Sequence, residues 1–307
     1  MKIDVIIPLY KPGKELLTLL EMLRKQTLPP HQIILMNTEE KYLEALMMGS
    51  GRITNFPDVK VYHLSKREFD HGGTRRRGVL KSDAEVFVMM TQDAMPADEY
   101  LLERLVRNLS GRVAVAYARQ LATEKSGVME QLTRTFNYPE ESRIKTFVDL
   151  PVLGIKTFFC SNVCAAYRRD IYEELGGFLK HTIFNEDMIY AAGAVKKGYA
   201  ISYEAQAMVY HSHDYTNMQQ LRRNFDLGVS QAEHPEIFGE VKSESEGKRL
   251  VMAAGPFFKE HHMLSKLPHF YMQCGCKYIG YLLGKHYKSL PRKLVLRITT
   301  NPEYWKK

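Results

Sequence analysis

The stretch EVFVMMTQD, residues 85–93, sets the reading of this chain. The run from Glu85 to Met90 reads as a strand buried under helices, and it stops on Thr91-Gln92-Asp93. Similar runs precede it. Ile3–Leu9 is broken by Pro12-Gly13, and Leu16, Leu19, Leu20 and Leu23 then recur at helical spacing. Ile33–Met36 leads into Asn37-Thr38-Glu39-Glu40, whose first residues suit a helix cap, and Val59–Leu64 is a third run. Strand and helix in alternation predict a mostly parallel sheet covered by helices. Ligands of such sheets bind beyond the carboxyl ends of the strands. Polar clusters stand at those ends, at Asn37–Glu39, His71–Arg77 and Gln92–Asp93.

The second half is less regular. Val113–Ala118 reads as a strand, Gly127–Tyr138 as a helix and loop, and Phe158–Tyr167 as an apolar stretch interrupted by Ser161 and Asn162. Glu186–Lys197 and Thr216–Val229 have helical patterns, and Ala200–Tyr210 looks like two short strands. Further helices are expected around Gly247–Leu264 and Phe270–His286, with no internal repeat and no Walker-type loop.

At 307 residues and 45% apolar content the chain is an ordinary globular one, with no apolar window long enough for a membrane span and no signal-peptide pattern. Four cysteines without a CxxC pair suit a reducing cytoplasm. The net charge of +8 is concentrated at one end: residues 248–307 carry +10 and the rest sums to −2. A basic tail on a near-neutral body points to a local anionic partner, lipid or nucleic acid. The zinc-finger spacing and RNA-binding sheet signature that would support nucleic acid are missing. The aromatics Phe270, Tyr271, Tyr278 and Tyr281, with Ile279, Leu282, Leu283 and the surrounding lysines, predict docking on an anionic membrane face without crossing it. Packing of these aromatics on the body or on a second subunit is the alternative.

Several residues suit chemistry. Asp93 closes an apolar strand and offers a hard oxygen ligand for Mg²⁺ or Mn²⁺, with Gln92 adding a carbonyl; it equally suits a turn or cap. Glu186-Asp187 stand at a helix start, as a cap or as a general base, with Asp187 preferred for the base. His211 and His213, two apart in an extended segment, share a face, and one could complete a metal site. Gly72, Gly73 and Arg75-Arg76-Arg77 could admit and bind phosphate, as could Arg222 and Arg223 after Gln219 and Gln220.

Taken in order, IDVIIPLYKPG, FDHGGTRRRG, FVMMTQDAMP, FFCSNVCAAYRRDIYEELGGF, NEDM and VYHSHDYT resemble family 2 of the inverting glycosyltransferases, and within it a bacterial rhamnosyltransferase-like branch. The resemblance runs from Lys2 to about Val229. It implies a GT-A fold: an α/β, Rossmann-like mixed sheet flanked by helices, here with a C-terminal helical extension. The implied division is a catalytic domain at 1–240, its nucleotide-binding half about 1–118 and its acceptor-binding half about 119–240, followed by a basic, aromatic extension at 241–307.

Carried over position by position, Pro8 and Tyr10 lie beside the donor nucleotide. Thr38 and Glu39 occupy a base and ribose pocket where the family often has aspartates. Asp93 matches the last aspartate of the DxD motif, with Thr91 and Gln92 before it. Asp187, with Glu186, matches the ED motif of the catalytic base, and His211 a histidine holding metal and diphosphate. Gln219 and Arg222 follow the QxxRW motif, with Arg223 in the Trp position. His71 and Arg76 face the donor. The implied reaction uses Mg²⁺ or Mn²⁺ and a nucleotide-sugar, dTDP-L-rhamnose first and a UDP-hexose as alternative. The acceptor is a lipid-linked or growing surface saccharide. Nucleic acid is not a partner, and a homo-oligomer remains open.

Overall fold

A computed structural model describes residues 1–50, 56–239, 241 and 244–306. Its strands are β1 Ile3–Tyr10, β2 Gln32–Thr38, β3 Val59–Leu64, β4 Val86–Met90, β5 Met95–Pro96, β6 Val113–Leu121, β7 Arg143–Lys145, β8 Cys164–Arg168 and β9 Ala200–Tyr210. They form one sheet in the order β3-β2-β1-β4-β8-β6-β9-β5, with β7 paired to β9. The helices are α1 Glu15–Arg24, α2 Glu40–Ser50, α3 His71–Val79, α4 Leu101–Arg107, α5 Val128–Asn137, α6 Leu150–Leu153 and α7 Arg169–Glu174. They continue with α8 Glu186–Lys196, α9 Asn217–Glu233, α10 Pro235–Phe238, α11 Glu244–Glu260, α12 Leu267–Lys285 and α13 Arg292–Ile298.

Continuous apolar strands are explained by two cores, one on each face of the sheet. Val5, Ile7, Leu9, Val88 and Met90 face α1 and α4, whereas Ile6, Phe87 and Met89 face α3 and α8. This is the period-2 alternation of a strand. The result is a mixed α/β, Rossmann-like sheet flanked by helices, with a helical C-terminal extension.

The expectation of a mostly parallel sheet holds for β3-β2-β1-β4 and fails beyond it. There β8 enters antiparallel to both β4 and β6, while β6 and β9 pair in parallel. An apolar run has the same composition in either direction, so composition does not encode polarity. The topology places the carboxyl ends of β4, β6 and β9 and the amino end of β8 along one rim.

Two further expectations are corrected. Asn37 and Thr38 do not cap a helix; they extend β2, opposite Leu9 and Tyr10 of β1. Ala200–Tyr210 is one strand, not two. Its register against β6 jumps, Ala118 pairing with Glu204 and Arg119 with Met208, and this irregularity interrupts the alternation that the sequence shows.

The extension packs on the body. Helix α12 lies so close to α9 that a Cβ on Gly280 or Gly284 would sit 2.1 Å from the carbonyl oxygen of Leu221 or Phe225. Phe270 and Tyr281, expected to face lipid, are buried, and Leu283 packs beside Phe225 and Val229. Tyr271, Met272, Tyr278, Ile279 and Leu282 remain exposed along the outer side of α12. The end of the chain is tied back to α9, where Asp226 accepts hydrogen bonds from Thr299 Oγ1 at 2.7 Å and Thr300 N–H at 2.8 Å. Among the described residues no helix is long and apolar enough to cross a membrane.

Candidate active site

The rim formed by the strand ends carries two carboxylate centres. In the first, Asp93 follows β4 while His211 and His213 follow β9. Asp93 Oδ1 lies 3.5 Å from His211 Nε2, Asp93 Oδ2 lies 3.2 Å from His213 Nε2, and the two Nε2 atoms are 3.0 Å apart. These three ligand atoms are close enough together to hold one metal ion. Behind them, Gln120 Oε1 lies 3.0 Å from His211 Nδ1 and also accepts from Arg134. Arg134 Nη2 also lies 3.3 Å from that Nδ1, so Gln120 and Arg134 together fix the ring and leave Nε2 facing Asp93, the kind of support common behind metal-ligating histidines. Burial lowers His211 to about 3 and also lowers His213, so both rings are neutral and able to ligate at neutral pH.

The second centre is at the start of α8. Asn185 takes the left-handed conformation, φ 62°, and so aims Glu186 and Asp187 into the protein. Its amide donates to Ser230 Oγ of α9 at 3.2 Å, which braces the turn. Glu186 pairs with Arg75 at 3.2 Å and accepts from Asn162 Nδ2 at 3.1 Å. Burial alone would raise the Glu186 carboxyl, but Arg75 and the Asn162 amide outweigh it and hold the group below its ordinary value. Asp187 has no such partner. It accepts from the Asn162 and Met188 amides at 2.9 and 2.8 Å, while burial, reinforced by the adjacent Glu186 charge, raises it to about 7. One carboxylate is thus kept ionised while its neighbour is poised near neutrality, the division expected of a supporting acid and a proton acceptor.

The nucleotide-side residues surround the switch between β1 and β4. The Gln92 side chain is fully engaged there: its Oε1 accepts from Tyr10 N–H at 3.0 Å and its Nε2 donates to Tyr10 C=O at 3.1 Å. It therefore clamps the two strand ends, and its carbonyl is not directed at a metal. Pro8 is half-buried, and the exposed Tyr10 ring meets Tyr42 edge-on at 5.7 Å. Thr38 is buried, its hydroxyl without a hydrogen-bond partner among the described residues. Glu39 is held at φ 64°, its carboxylate accepting from Lys66 N–H at 2.7 Å.

Several side chains read as phosphate ligands are bound to protein instead. Arg76 donates to the Gly176 and Phe178 carbonyls, Arg75 pairs with Glu186, and Arg77 bonds the Glu68 carbonyl. Consecutive residues of a helix point about 100° apart, so three adjacent arginines cannot converge on one anion. Gly72 and Gly73 admit the backbone of Leu179 and Lys180, which a Cβ would meet at 2.4 and 2.5 Å. His71 sits between Phe69 and Phe184 and burial lowers it to about 4. Gln219 closes the capping box of α9 with Thr216, and Arg222 is exposed. The neighbouring Arg223 instead turns toward the site, over Tyr215 at 4.8 Å and Phe184 at 5.3 Å. Asn162, Gln120 and Arg134 are the site residues that sequence reasoning missed, whereas Arg223 was among its candidate phosphate ligands. Only Asn162 left a signal, as a polar break in an apolar stretch.

The family model for glycosyl transferase family 2 matches residues 4–176. The chain belongs to that family. Two curated members match it along nearly its whole length. The O-antigen chain rhamnosyltransferase RfbN of Salmonella typhimurium is 36% identical over 99% of this chain and 96% of its own. WbaN of Salmonella anatum, also described as an O-antigen chain rhamnosyltransferase, is 35% identical over 98% of this chain and 95% of its own. Solved structures share the fold at lower identity. A mannosyltransferase of Pyrobaculum calidifontis, in complex with GDP-Man and Mn²⁺, is 14% identical with a TM-score of 0.57, covering 96% of this chain and 78% of its own. S. aureus TarS 1–349 with UDP-GlcNAc is 15% identical with a TM-score of 0.54, covering 94% of this chain and 92% of its own. As a family 2 member with this sheet, the chain is an inverting glycosyltransferase of the GT-A fold.

Proposed function

We propose that this transferase moves L-rhamnose from dTDP-L-rhamnose to a hydroxyl of a lipid-linked or growing cell-surface saccharide. The observation that carries the catalytic reading is the pairing on one rim of Asp187, poised near neutrality, with the Asp93–His211–His213 cluster. The sugar rests on the two O-antigen chain rhamnosyltransferases, which match nearly the whole chain.

In this reading Asp187 accepts the acceptor hydroxyl's proton as that oxygen attacks the anomeric carbon, and the configuration inverts. Glu186 and Asn162 position it. Asp93, His211 and His213 would hold a divalent ion, which would neutralise charge on the diphosphate of the donor. Two imidazoles with one carboxylate make a softer set than the oxygen ligands Mg²⁺ requires, which favours Mn²⁺. Arg223 adds positive charge beside the departing nucleoside diphosphate. Tyr10, Thr38 and Glu39 line the nucleotide side, and the orphaned Thr38 hydroxyl is a group the donor would satisfy. Residues 1–118 form the nucleotide half, 119–240 the acceptor half, and 241–307 the extension. The exposed stripe Tyr271, Met272, Tyr278, Ile279 and Leu282, flanked by Lys285, Lys288, Arg292 and Lys293, docks on the inner face of the plasma membrane.

Nucleotide release from a panel of dTDP- and UDP-sugars with Mn²⁺ or Mg²⁺ tests the substrate. Turnover of dTDP-L-rhamnose above the others is expected. Turnover of UDP-glucose or UDP-galactose with no response to dTDP-L-rhamnose would overturn the assignment.

A further inference from the structure

Beside the His213 edge of the metal cluster lies an open cleft of about 310 Å³, walled on one side by α12 of the extension. His269, Gln273 and Lys277 line it from that helix. They are spaced four apart, and so form one polar stripe on a helix otherwise rich in aromatic and aliphatic residues. The opposite walls are Thr133 of α5 and the Asp214–Thr216 turn before α9. Gln273 is buried and donates to the Tyr215 carbonyl at 3.3 Å, which joins the stripe to that turn. Lys277 is half-buried and forms no salt bridge among the described residues, although Glu130 lines the same cleft. The stripe runs from the exposed His269 through the buried Gln273 to the half-buried Lys277, so polar groups at graded depth are available to a ligand that enters the cleft.

We infer that this cleft is a saccharide subsite, in which the C-terminal extension holds a sugar ring of the acceptor beside the metal cluster. The lining matches that ligand class. It mixes donors (Lys277, Gln273), acceptors (Asp214) and hydroxyls (Thr133, Thr216) with the apolar surface of Tyr215 and Met129, as the alternating hydroxyls and C–H faces of a sugar require. A bare phosphate fits less well, because Glu130 and Asp214 share the walls with Lys277. His213 belongs both to this wall and to the cluster 3.2 Å from Asp93, so a sugar seated here adjoins the donor's diphosphate. The extension thereby becomes part of the binding site, and this assignment rests on the transferase reading above.

Saturation-transfer NMR of the full chain with methyl α-L-rhamnoside, methyl α-D-mannoside and methyl β-D-galactoside tests it. At least one glycoside should give a saturable signal. That signal should weaken by about tenfold or more in Lys277→Met, which keeps the apolar stem, and in His269→Ala, the scale of a lost hydrogen bond to a charged or buried group. Circular dichroism and Mn²⁺-dependent nucleotide binding establish that both variants are folded. No saturable signal from any glycoside, or signals retained in both variants, would overturn the subsite. Glycoside binding as described without turnover of any sugar nucleotide would keep the subsite and sink the transferase reading.

Discussion

Replacing Asp187 by Asn separates catalysis from stability. In the folded protein this carboxyl is raised from 3.8 to about 7, chiefly by burial and then by Glu186. Between those values the unfolded chain gives up a proton that the native state retains, so stability falls as pH rises through this window. Ionising Asp187 in the native state at pH 8 therefore costs about 4 kcal/mol relative to the unfolded chain. At pH 5 the corresponding cost is less than half of that. Asn carries no charge and avoids both costs. It also turns an NH₂ toward one of the two amides that now donate to the carboxylate, a penalty of about 1–3 kcal/mol that does not depend on pH. The variant's stability relative to the parent should thus improve by about 3 kcal/mol between pH 5 and pH 8, whatever the penalty. Urea unfolding of both proteins at the two pH values reads this difference. Transfer should meanwhile fall by about 10²-fold or more. A stability difference that is flat with pH would show that Asp187 titrates like an ordinary carboxyl and would refute its poising. Near-normal transfer would remove it from the base role.

His213→Ala and Asp93→Ala should each weaken Mn²⁺-dependent donor binding. Identical Mn²⁺ titrations of donor affinity in the His213 variant and the parent would restrict the cluster to Asp93 and His211. Gly284→Ala forces a Cβ against the Phe225 carbonyl and the Gly228 backbone, groups that cannot rotate away. It should destabilise the protein by about 1–3 kcal/mol or more, and an unchanged Tm would mean that α12 does not sit on α9 as described. Sedimentation with anionic vesicles should pellet the intact protein and release it as salt rises, and Tyr278→Ser with Ile279→Ser should reduce the bound fraction. Equal recovery in the supernatant with anionic and neutral vesicles at low salt would end the membrane proposal.

The sequence by itself determined most of the elements and the polar groups that stand at their ends. Unbroken apolar runs such as Val86–Met90 announce strands covered on both faces, because burial acts on each side chain where it stands. For the same reason Asp93, Glu186-Asp187 and His211 were legible as polar groups at element ends. Tertiary structure alone decided what they face. The antiparallel entry of β8 brings Asn162 to Asp187, and the parallel pairing of β9 with β6 sets His211 against Gln120 and both histidines against Asp93. Strand polarity depends on the partner, and no local pattern records it. Several side chains that looked suited to ligand binding are engaged by protein groups instead. Arg76 was drawn to the Gly176 and Phe178 carbonyls, Gln219 to its own helix cap and Gln92 to the Tyr10 backbone, while Arg223 rather than Arg222 turned inward. A charged side chain takes the partner that packing brings within reach, and that partner lies up to about a hundred residues away along the chain.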